Sequence, residues 1–188
     1  MLNEKEQKYL LKLARESIAR SLKGDDSEPT APPKDLPSPK LLERGGCFVS
    51  LHEHGDLRGC IGCLEAREPL WLGVFHNARL AAFGDYRFAP LEENALAGLE
   101  IEISVLTAPE PLKYSSPEDL LKKLVPLKHG VILRKGPCSA TFLPQVWEQL
   151  PGKEAFLAHL AAKAGLPPDG WKSAEFFVYE AQVFKEGE

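Results

Sequence analysis

The stretch that decides how this chain folds is Leu57–Gly62, with the sequence LRGCIG, which follows the apolar run Cys47–His52. The residues between the two runs, Glu53–Asp56 (EHGD), include a glycine and an aspartate, which favour a tight turn. We therefore predict a β-hairpin whose returning strand carries LRGCIG. Hairpins together with helices favour an α+β fold, in which a mostly antiparallel sheet is packed with helices.

LRGCIG places a thiol and a guanidinium two residues apart. Because side chains alternate between the two faces of a strand, we expect Arg58, Cys60 and Gly62 to share one face and Leu57, Gly59 and Ile61 the other. A neighbouring arginine stabilises a thiolate, and a glycine allows a ligand or another backbone to approach closely. Two interpretations stay open at this point: a reactive cysteine on a binding surface, or a buried cysteine beside glycines that mark a packing contact.

Upstream of the hairpin, Asn3 can cap a helix whose apolar residues recur at spacings of three and four, and which ends near Gly24. The segment Gly24–Lys40 then contains five prolines among charged residues, and we expect it to run extended over the surface. The predicted organisation is an N-terminal helix and connector, residues 1–40, packed on a main domain, residues 41–188.

Downstream of the hairpin, apolar side chains at helical spacing predict a helix that begins after Pro69 and ends near Gly84. Leu99–Val105 alternates between apolar and polar residues, which predicts a half-buried strand. The remaining predicted elements are a short helix from Pro117, a second hairpin over Gly130–Arg134 and Cys138–Phe142, a helix over Lys153–Ala164 and a last strand over Glu175–Phe184.

Composition and charge exclude several classes of protein. The 188 residues are 44% hydrophobic and 27% charged, as in an ordinary folded domain. The net charge of -4 and the scattered lysines and arginines argue against a nucleic-acid binder. No apolar run approaches the roughly 20 residues that span a bilayer, and the charged N-terminus matches no targeting peptide. Four scattered cysteines fit a reducing compartment, so we expect a cytoplasmic protein.

A second group of charged residues follows the Pro69–Gly84 helix. In Asp85–Pro90 (DYRFAP), an acid and a base flank a tyrosine. Asp85 and Arg87 can pair with each other and fasten the end of the helix. Alternatively, they can present a carboxylate and a guanidinium to a ligand.

Two further polar residues are candidates for a site. Glu102 lies on the polar face of the predicted Leu99–Val105 strand, where its carboxylate can act as an acid–base group, pair with Arg58 or Arg87, or simply face water. His129 directly precedes the second hairpin and is polar enough to line a site.

Cysteine and histidine side chains raise the question of a metal or redox site. The residues concerned are Cys47, His52, His54, Cys60, Cys63 and His76. Their spacing fits no standard zinc module. Cys60 and Cys63 form a CxxC, yet residues three apart on a strand point to opposite faces, which argues against thioredoxin-type chemistry. We therefore expect neither a metal nor a cofactor.

LRGCIG and the motifs that follow it resemble the AMMECR domain family. The further motifs occur in the family's order: DYRFAP at 85–90, EISVL at 102–106, KHGV at 128–131, TFLPQV at 141–146 and KAGL at 163–166. The resemblance runs from about Gly46 to the end of the chain. At the position of Cys63 the family usually has a small hydroxyl residue, so this chain departs from the pattern there.

The resemblance implies a larger and a smaller lobe with a cleft between them, and Memo-type proteins and radical SAM enzymes as partners. We expect a cleft that binds or transforms a small anionic ligand, in which a thiol, two guanidinium groups and a carboxylate act together. The alternative is an adaptor that docks those partners and catalyses no reaction. The predicted catalytic residues are Cys60 and Glu102, and the predicted ligand-binding residues are Arg58, Gly59, Gly62, Asp85, Arg87 and His129.

Overall fold

The computed structural model describes residues 1–187 and has the predicted α+β architecture. Its α-helices are α1 (Glu4–Leu22), α2 (Leu70–Phe83), α3 (Pro117–Lys123), α4 (Val146–Gln149) and α5 (Lys153–Lys163). Its strands are β1 (Cys47–Glu53), β2 (Asp56–Cys63), β3 (Leu99–Leu106), β4 (Glu110–Pro111), β5 (Gly130–Lys135), β6 (Cys138–Phe142), β7 (Glu175–Tyr179) and β8 (Ala181–Lys185). None of the helices in this part of the chain is long and apolar enough to cross a membrane.

The chain divides into two compact units. The first comprises Met1–Leu106 and the C-terminal segment that starts at Gln182, and the second comprises Thr107–Ala181. The boundary expected between residues 40 and 41 falls inside the first unit. The first unit holds a sheet of order β2-β1-β3-β8, and the second holds a sheet of order β4-β7-β5-β6. Antiparallel pairing joins β1 to β2 and β3, β7 to β4 and β5, and β5 to β6, as the hairpins predict.

The predicted hairpin forms from β1 and β2, with a tighter turn than expected. Glu53 pairs with Asp56, so the turn consists of His54 and Gly55, at φ 54° and 88°. Positive φ at both turn residues suits the twist of antiparallel strands. Arg58 has no partner in the β1–β2 register, which marks a β-bulge in the edge strand β2. Beyond the bulge, every β1 residue faces a β2 residue one position later than regular pairing would give.

Helix α2 packs directly on the hairpin. A Cβ at Gly59 would lie 2.0 Å from the carbonyl oxygen of Ala81, so the backbones of β2 and α2 touch at this point. Helix α1 packs on α2 in turn, and the buried hydroxyl of Ser17 donates a hydrogen bond to the carbonyl oxygen of Phe75 at 2.8 Å. The apolar residues of both helices and the inner face of the first sheet form the core of the first unit.

Helix α1 begins after the predicted N-cap, Asn3, which forms a capping box with Glu6. The proline-rich segment 24–40 contains neither helix nor strand as far as Ser38, as expected, but its last two residues, Pro39 and Lys40, begin a short 3-10 helix, Pro39–Leu42. Arg79 of α2 holds this connector through an ion pair with Glu28 at 3.1 Å. The N-terminal segment is therefore an integral part of the first unit.

Aromatic side chains form much of the core of the second unit. The rings of Trp147 and Phe156 are stacked with their centroids 3.6 Å apart. At the start of β5, a Cβ at Gly130 would lie 2.4 Å from the ring of Tyr179, so a side chain is excluded there. Burial raises the pKa of Tyr179 to about 12, although a hydrogen bond with Thr141 opposes this rise.

The prediction of one final strand over Glu175–Phe184 is wrong. Strand β7 ends at Tyr179 and pairs with β5 in the second sheet, whereas β8 starts at Ala181 and lies beside β3 in the first. At the break, the Glu180 carbonyl oxygen accepts a hydrogen bond from the Thr107 backbone N–H, and the Glu180 N–H donates one to the Thr107 hydroxyl, both at 2.9 Å. Apolar residues occur on both sides of Glu180, so the sequence does not mark the break, and the pairing partners separate the two strands.

Candidate functional site

Three polar side chains lie in register on the face of the first sheet that is opposite to α2. Cys60 of β2 faces Ser50 of β1, and Ser50 faces Glu102 of β3. The Ser50 hydroxyl donates a hydrogen bond to the Cys60 sulfur at 3.3 Å. All three residues are half-buried. The structure therefore places Cys60 and Glu102, the two predicted catalytic residues, on one face with Ser50 between them.

The loop after α2 fixes the main chain of Cys60. The Asp85 carboxylate accepts a hydrogen bond from the Cys60 backbone N–H at 2.9 Å. Arg87 donates from Nη2 to the Cys60 carbonyl oxygen at 3.3 Å, and two of its nitrogens bind Asp85 at 2.6 and 2.9 Å. Both hydrogen-bonding groups of the Cys60 peptide at this free sheet edge are thus occupied by one ion pair, which we call the Asp85–Arg87 clamp.

The charge state of the clamp follows from its contacts. The hydrogen bonds from Arg87 hold the pKa of Asp85 well below its usual value, and the backbone N–H of Cys60 lowers this pKa further, whereas burial opposes the shift. In turn, Asp85 raises the pKa of Arg87. Asp85 is only 5% exposed, and both of its oxygens already accept hydrogen bonds. The clamp is therefore fully ionised at neutral pH, and Asp85 has no free oxygen for a ligand.

Arg58 lies at the bulge, so the regular alternation expected from LRGCIG does not hold at this residue. Its guanidinium is 3.9 Å from the Glu53 carboxylate and 3.4 Å from the carbonyl oxygen of Pro90, both long contacts. These are its polar contacts among the described residues. Arg58 therefore keeps much of its hydrogen-bonding capacity, on a side chain that is 21% exposed.

The two glycines of LRGCIG have packing reasons to lack a side chain. Gly59 touches the backbone of α2, as described above. At Gly62, a Cβ would lie 2.3 Å from the ring of Phe48 and 2.4 Å from the carbonyl oxygen of Cys47. Of the two interpretations that the sequence left open for these glycines, the structure thus supports close packing.

His129 belongs to the second unit, just before β5. Its Nδ1 accepts a hydrogen bond from the backbone N–H of Val125 at 3.2 Å, and its carbonyl oxygen accepts one from the indole N–H of Trp147 at 2.7 Å. Burial and the neighbouring Lys128 lower the pKa of the His129 ring. The ring is therefore neutral at pH 7 and orders the segment that leads into β5.

Sequence reasoning missed two residues beside the predicted site. Ser50 lies inside the apolar run Cys47–His52, and only the strand register, which places it opposite Cys60, identifies it as a residue of the site. Tyr86, between the two members of the clamp, is 96% exposed, which is unusual for a large aromatic side chain. The sequence does give a signal for Tyr86, because this tyrosine stands between two charged residues, Asp85 and Arg87, in DYRFAP.

A separate concavity of about 890 Å³ in the first unit is lined by α1, the connector and α2. The ring of His76 lies in its wall, 2.6 Å from a carboxylate oxygen of Glu28 and 2.9 Å from one of Glu68. None of the predicted site residues lines this concavity. Across residues 1–187, no three histidine, cysteine or acidic side chains are arranged to hold a metal ion, including the cysteines and histidines considered above.

Comparison with known proteins identifies relatives over the whole chain. The model of the AMMECR1 family matches residues 11–184. Protein MK0488 of Methanopyrus kandleri is 39% identical, over 100% of this chain and 91% of its own length. Protein PF1979 of Pyrococcus furiosus is 38% identical, over 95% of this chain and 87% of its own length.

A solved structure shows the same fold. The crystal structure of uncharacterized protein PH0010 from Pyrococcus horikoshii superposes with a TM-score of 0.88 at 35% sequence identity, and covers 99% of this chain and 94% of that one. The range matched by the family model includes the whole stretch from LRGCIG to KAGL. The chain therefore belongs to the AMMECR1 family.

Proposed function

We propose that the sheet face around Cys60 binds a small anionic ligand, with the Cys60 thiol as a contact or nucleophile. The observation that carries the proposal is the Asp85–Arg87 clamp, which holds both sides of the Cys60 peptide at a sheet edge. Functional side chains act best when neighbouring groups fix their position in advance. The clamp provides this for the thiol, and the Ser50 hydroxyl adds a hydrogen bond to the sulfur itself.

The charge of the expected ligand follows from the two arginines. Arg58 makes only long contacts, and an anion that offers a planar pair of oxygens would bind its guanidinium better than Glu53 does at 3.9 Å. Arg87 is fixed by Asp85, yet its side chain is 47% exposed and its Nη1 makes no hydrogen bond within residues 1–187. Carboxylates and phosphates are the anions that such groups recognise.

The remaining polar groups fit complementary roles. Glu102 is the acid–base candidate, because it lies one strand beyond Ser50 and directly opposite neighbours on a sheet have Cβ atoms about 5 Å apart. Ser50 lies between the thiol and this carboxylate on the sheet face, and its hydroxyl already donates a hydrogen bond to the sulfur. Asp85 is a positioning residue, since both of its oxygens are used within the protein.

Protection of Cys60 from alkylation tests the proposal. The reduced protein is treated with iodoacetamide in increasing sodium phosphate, and mass spectrometry follows modification of Cys60. Sodium chloride of equal ionic strength serves as the reference. We expect phosphate to slow the modification several-fold more than chloride does, because phosphate engages both arginines near the thiol.

Two arginine variants decide the outcome. Arg58→Ala should abolish protection by phosphate. Arg67→Ala should keep it, because Arg67 lies just beyond β2 and is 72% exposed in an ion pair with Glu65. Equal protection by chloride and phosphate, or full protection in Arg58→Ala, would show that the face has no specific anion site.

A second candidate function is an adaptor for a Memo-type protein or a radical SAM enzyme in the cytoplasm, the partners that the family resemblance implies. It is favoured by Tyr86, a fully exposed aromatic residue whose backbone is fixed on both sides by the clamp. Rigid, exposed aromatic side chains often dominate the binding energy of protein interfaces. The same surface can thus serve recognition without chemistry.

Association experiments separate the two candidates. For an adaptor, Tyr86→Ala weakens capture of the purified Memo-type or radical SAM partner at least tenfold, and Cys60→Ser leaves it unchanged. For a ligand site, Arg58→Ala removes the protection of Cys60 by phosphate, whereas Tyr86→Ala keeps it. Bulky replacements at Gly59 or Gly62 do not report on docking, because they disturb packing inside the first unit.

A further inference from the structure

Two cysteines face each other across the β1–β2 hairpin. Cys47 is the first residue of β1, Cys63 is the last residue of β2, and the two are direct partners in the antiparallel register. Direct partners point to the same face of a sheet, and their Cα atoms lie about 4.5 to 5.5 Å apart. Disulfides span Cα separations of about 4.4 to 6.8 Å. The backbone therefore holds these thiols at a separation that a disulfide can bridge.

The bulge at Arg58 creates this pairing. With regular pairing from the turn, Cys47 would face Gly62 and no second thiol would be opposite it. The residue skipped at the bulge moves the register by one position, which brings Cys63 opposite Cys47. Cys60 pairs with Ser50 instead. Because Cys60 and Cys63 are three residues apart on the strand, their side chains point to opposite faces of the sheet.

The surroundings give the two thiols different accessibility. Cys47 is 2% exposed, and the side-chain amide of Asn77 lies 3.4 Å from its sulfur. Burial raises the pKa of Cys47 to about 12, and the Glu68 and Cys63 side chains act in the same direction. Cys63 is half-buried at the end of the edge strand. An oxidant from solution therefore meets Cys63 first, and Cys47 can react only with a group already attached to Cys63.

We propose that Cys47 and Cys63 form a reversible disulfide by exchange with a low-molecular-weight disulfide such as oxidised glutathione. The Cys63 thiolate attacks oxidised glutathione, which forms a mixed disulfide and releases one glutathione thiolate. That thiolate takes the proton of Cys47, whose sulfur then attacks the sulfur of Cys63 and releases the second glutathione. Two protein thiols are oxidised by two electrons, and one oxidised glutathione becomes two reduced molecules.

The disulfide joins β1 to the edge strand three residues beyond Cys60. It links the hairpin at its open end, while the Asp85–Arg87 clamp fixes β2 at Cys60. This modification site is independent of the anion site proposed above, because it uses the opposite face of β2 and neither arginine. Failure of either proposal leaves the other intact.

The test is to incubate the reduced protein with oxidised glutathione, block the remaining thiols under denaturing conditions and digest with trypsin. Cys47 falls in the peptide Gly45–Arg58, and Cys63 falls with Cys60 in Gly59–Arg67. We expect the number of alkylated cysteines to fall from four to two and a disulfide-linked pair of these peptides to appear. Dithiothreitol should reverse both changes.

Single variants assign the bond. Cys60→Ser should still yield the linked pair, and Cys63→Ser should not, because serine fills the position without a thiol. A bond within Gly59–Arg67, which would join Cys60 to Cys63, would overturn the proposal. Stable glutathione on Cys63 with Cys47 still free, or loss of the link in Cys60→Ser, would overturn it as well.

Discussion

The Asp85 carboxylate accepts a hydrogen bond from the backbone N–H of Cys60 at 2.9 Å, and this contact ties the loop after α2 to the free edge of β2. Replacement of Asp85 by Asn keeps the shape and removes the charge that Arg87 pairs with. Loss of one member of a buried ion pair is strongly destabilising, although the half-exposed Arg87 can regain water. We expect Asp85→Asn to lower the free energy of unfolding by about 2 kcal/mol, measured by urea denaturation at pH 7.

The same contact predicts a pH dependence. The pKa of Asp85 in the folded protein lies below the value of about 3.9 that an aspartate has in an unfolded chain. The stabilisation is therefore complete above pH 4 to 5 and is lost as the pH falls toward the lower, folded-state pKa. The difference in unfolding free energy between wild type and Asp85→Asn should shrink in that window. A difference that stays constant down to pH 3 would contradict the assignment.

The glycines of LRGCIG should be intolerant of even the smallest side chain. At Gly59 the added Cβ would lie 2.0 Å from a backbone carbonyl oxygen of α2. That oxygen cannot move unless the whole helix is displaced. We expect Gly59→Ala to reduce the free energy of unfolding by about 3 kcal/mol, at the upper end of overpacking costs. Gly98→Ala is the matched control, because no atom lies within 4 Å of its Cβ position, and it should change stability by less than about 0.5 kcal/mol.

Local patterns account for what the sequence predicted correctly. The Asn3 cap, the helix that ends at Gly84 and the hairpin around Gly55 each depend on residues close together in the chain. The alternation over Leu99–Val105 also indicated that Glu102 would point away from the core. Its position on the same face as Cys60 follows from that alternation once β1 lies between the two strands.

What the sequence could not predict depends on pairing across strands. A single unpaired residue, Arg58, sets the register, and alternation rules applied to LRGCIG assume that no such residue exists. For the same reason, Ser50 opposite Cys60 and Cys63 opposite Cys47 emerge only from the structure. The break at Glu180 is not predictable from local pattern, because no glycine or proline marks it and the two flanking strands are told apart by the sheets they join.

Arg79 is one of several residues that hold the connector, together with Arg20 and His76. Arg79 is 19% exposed and pairs with Glu28 at 3.1 Å and Asp26 at 3.3 Å. Exposed pairs contribute up to about 1 kcal/mol, so Arg79→Ala should raise the rate of tryptic cleavage at Lys34 roughly twofold to fivefold. Limited proteolysis followed by mass spectrometry measures this rate. Arg134→Ala, which removes a cation from the second unit, should leave cleavage at Lys34 unchanged.

The four cysteines should differ sharply in alkylation. Burial raises the pKa of Cys47 to about 12, so at pH 8 its thiol is neutral and shielded from reagent. We expect iodoacetamide to leave Cys47 of the native, reduced protein unmodified, while the half-buried Cys60, Cys63 and Cys138 react. In urea, Cys47 should react as fast as the others, because unfolding restores an ordinary thiol. Mass spectrometry of the tryptic peptides reads out each site, and rapid modification of native Cys47 would show that the end of the hairpin opens readily.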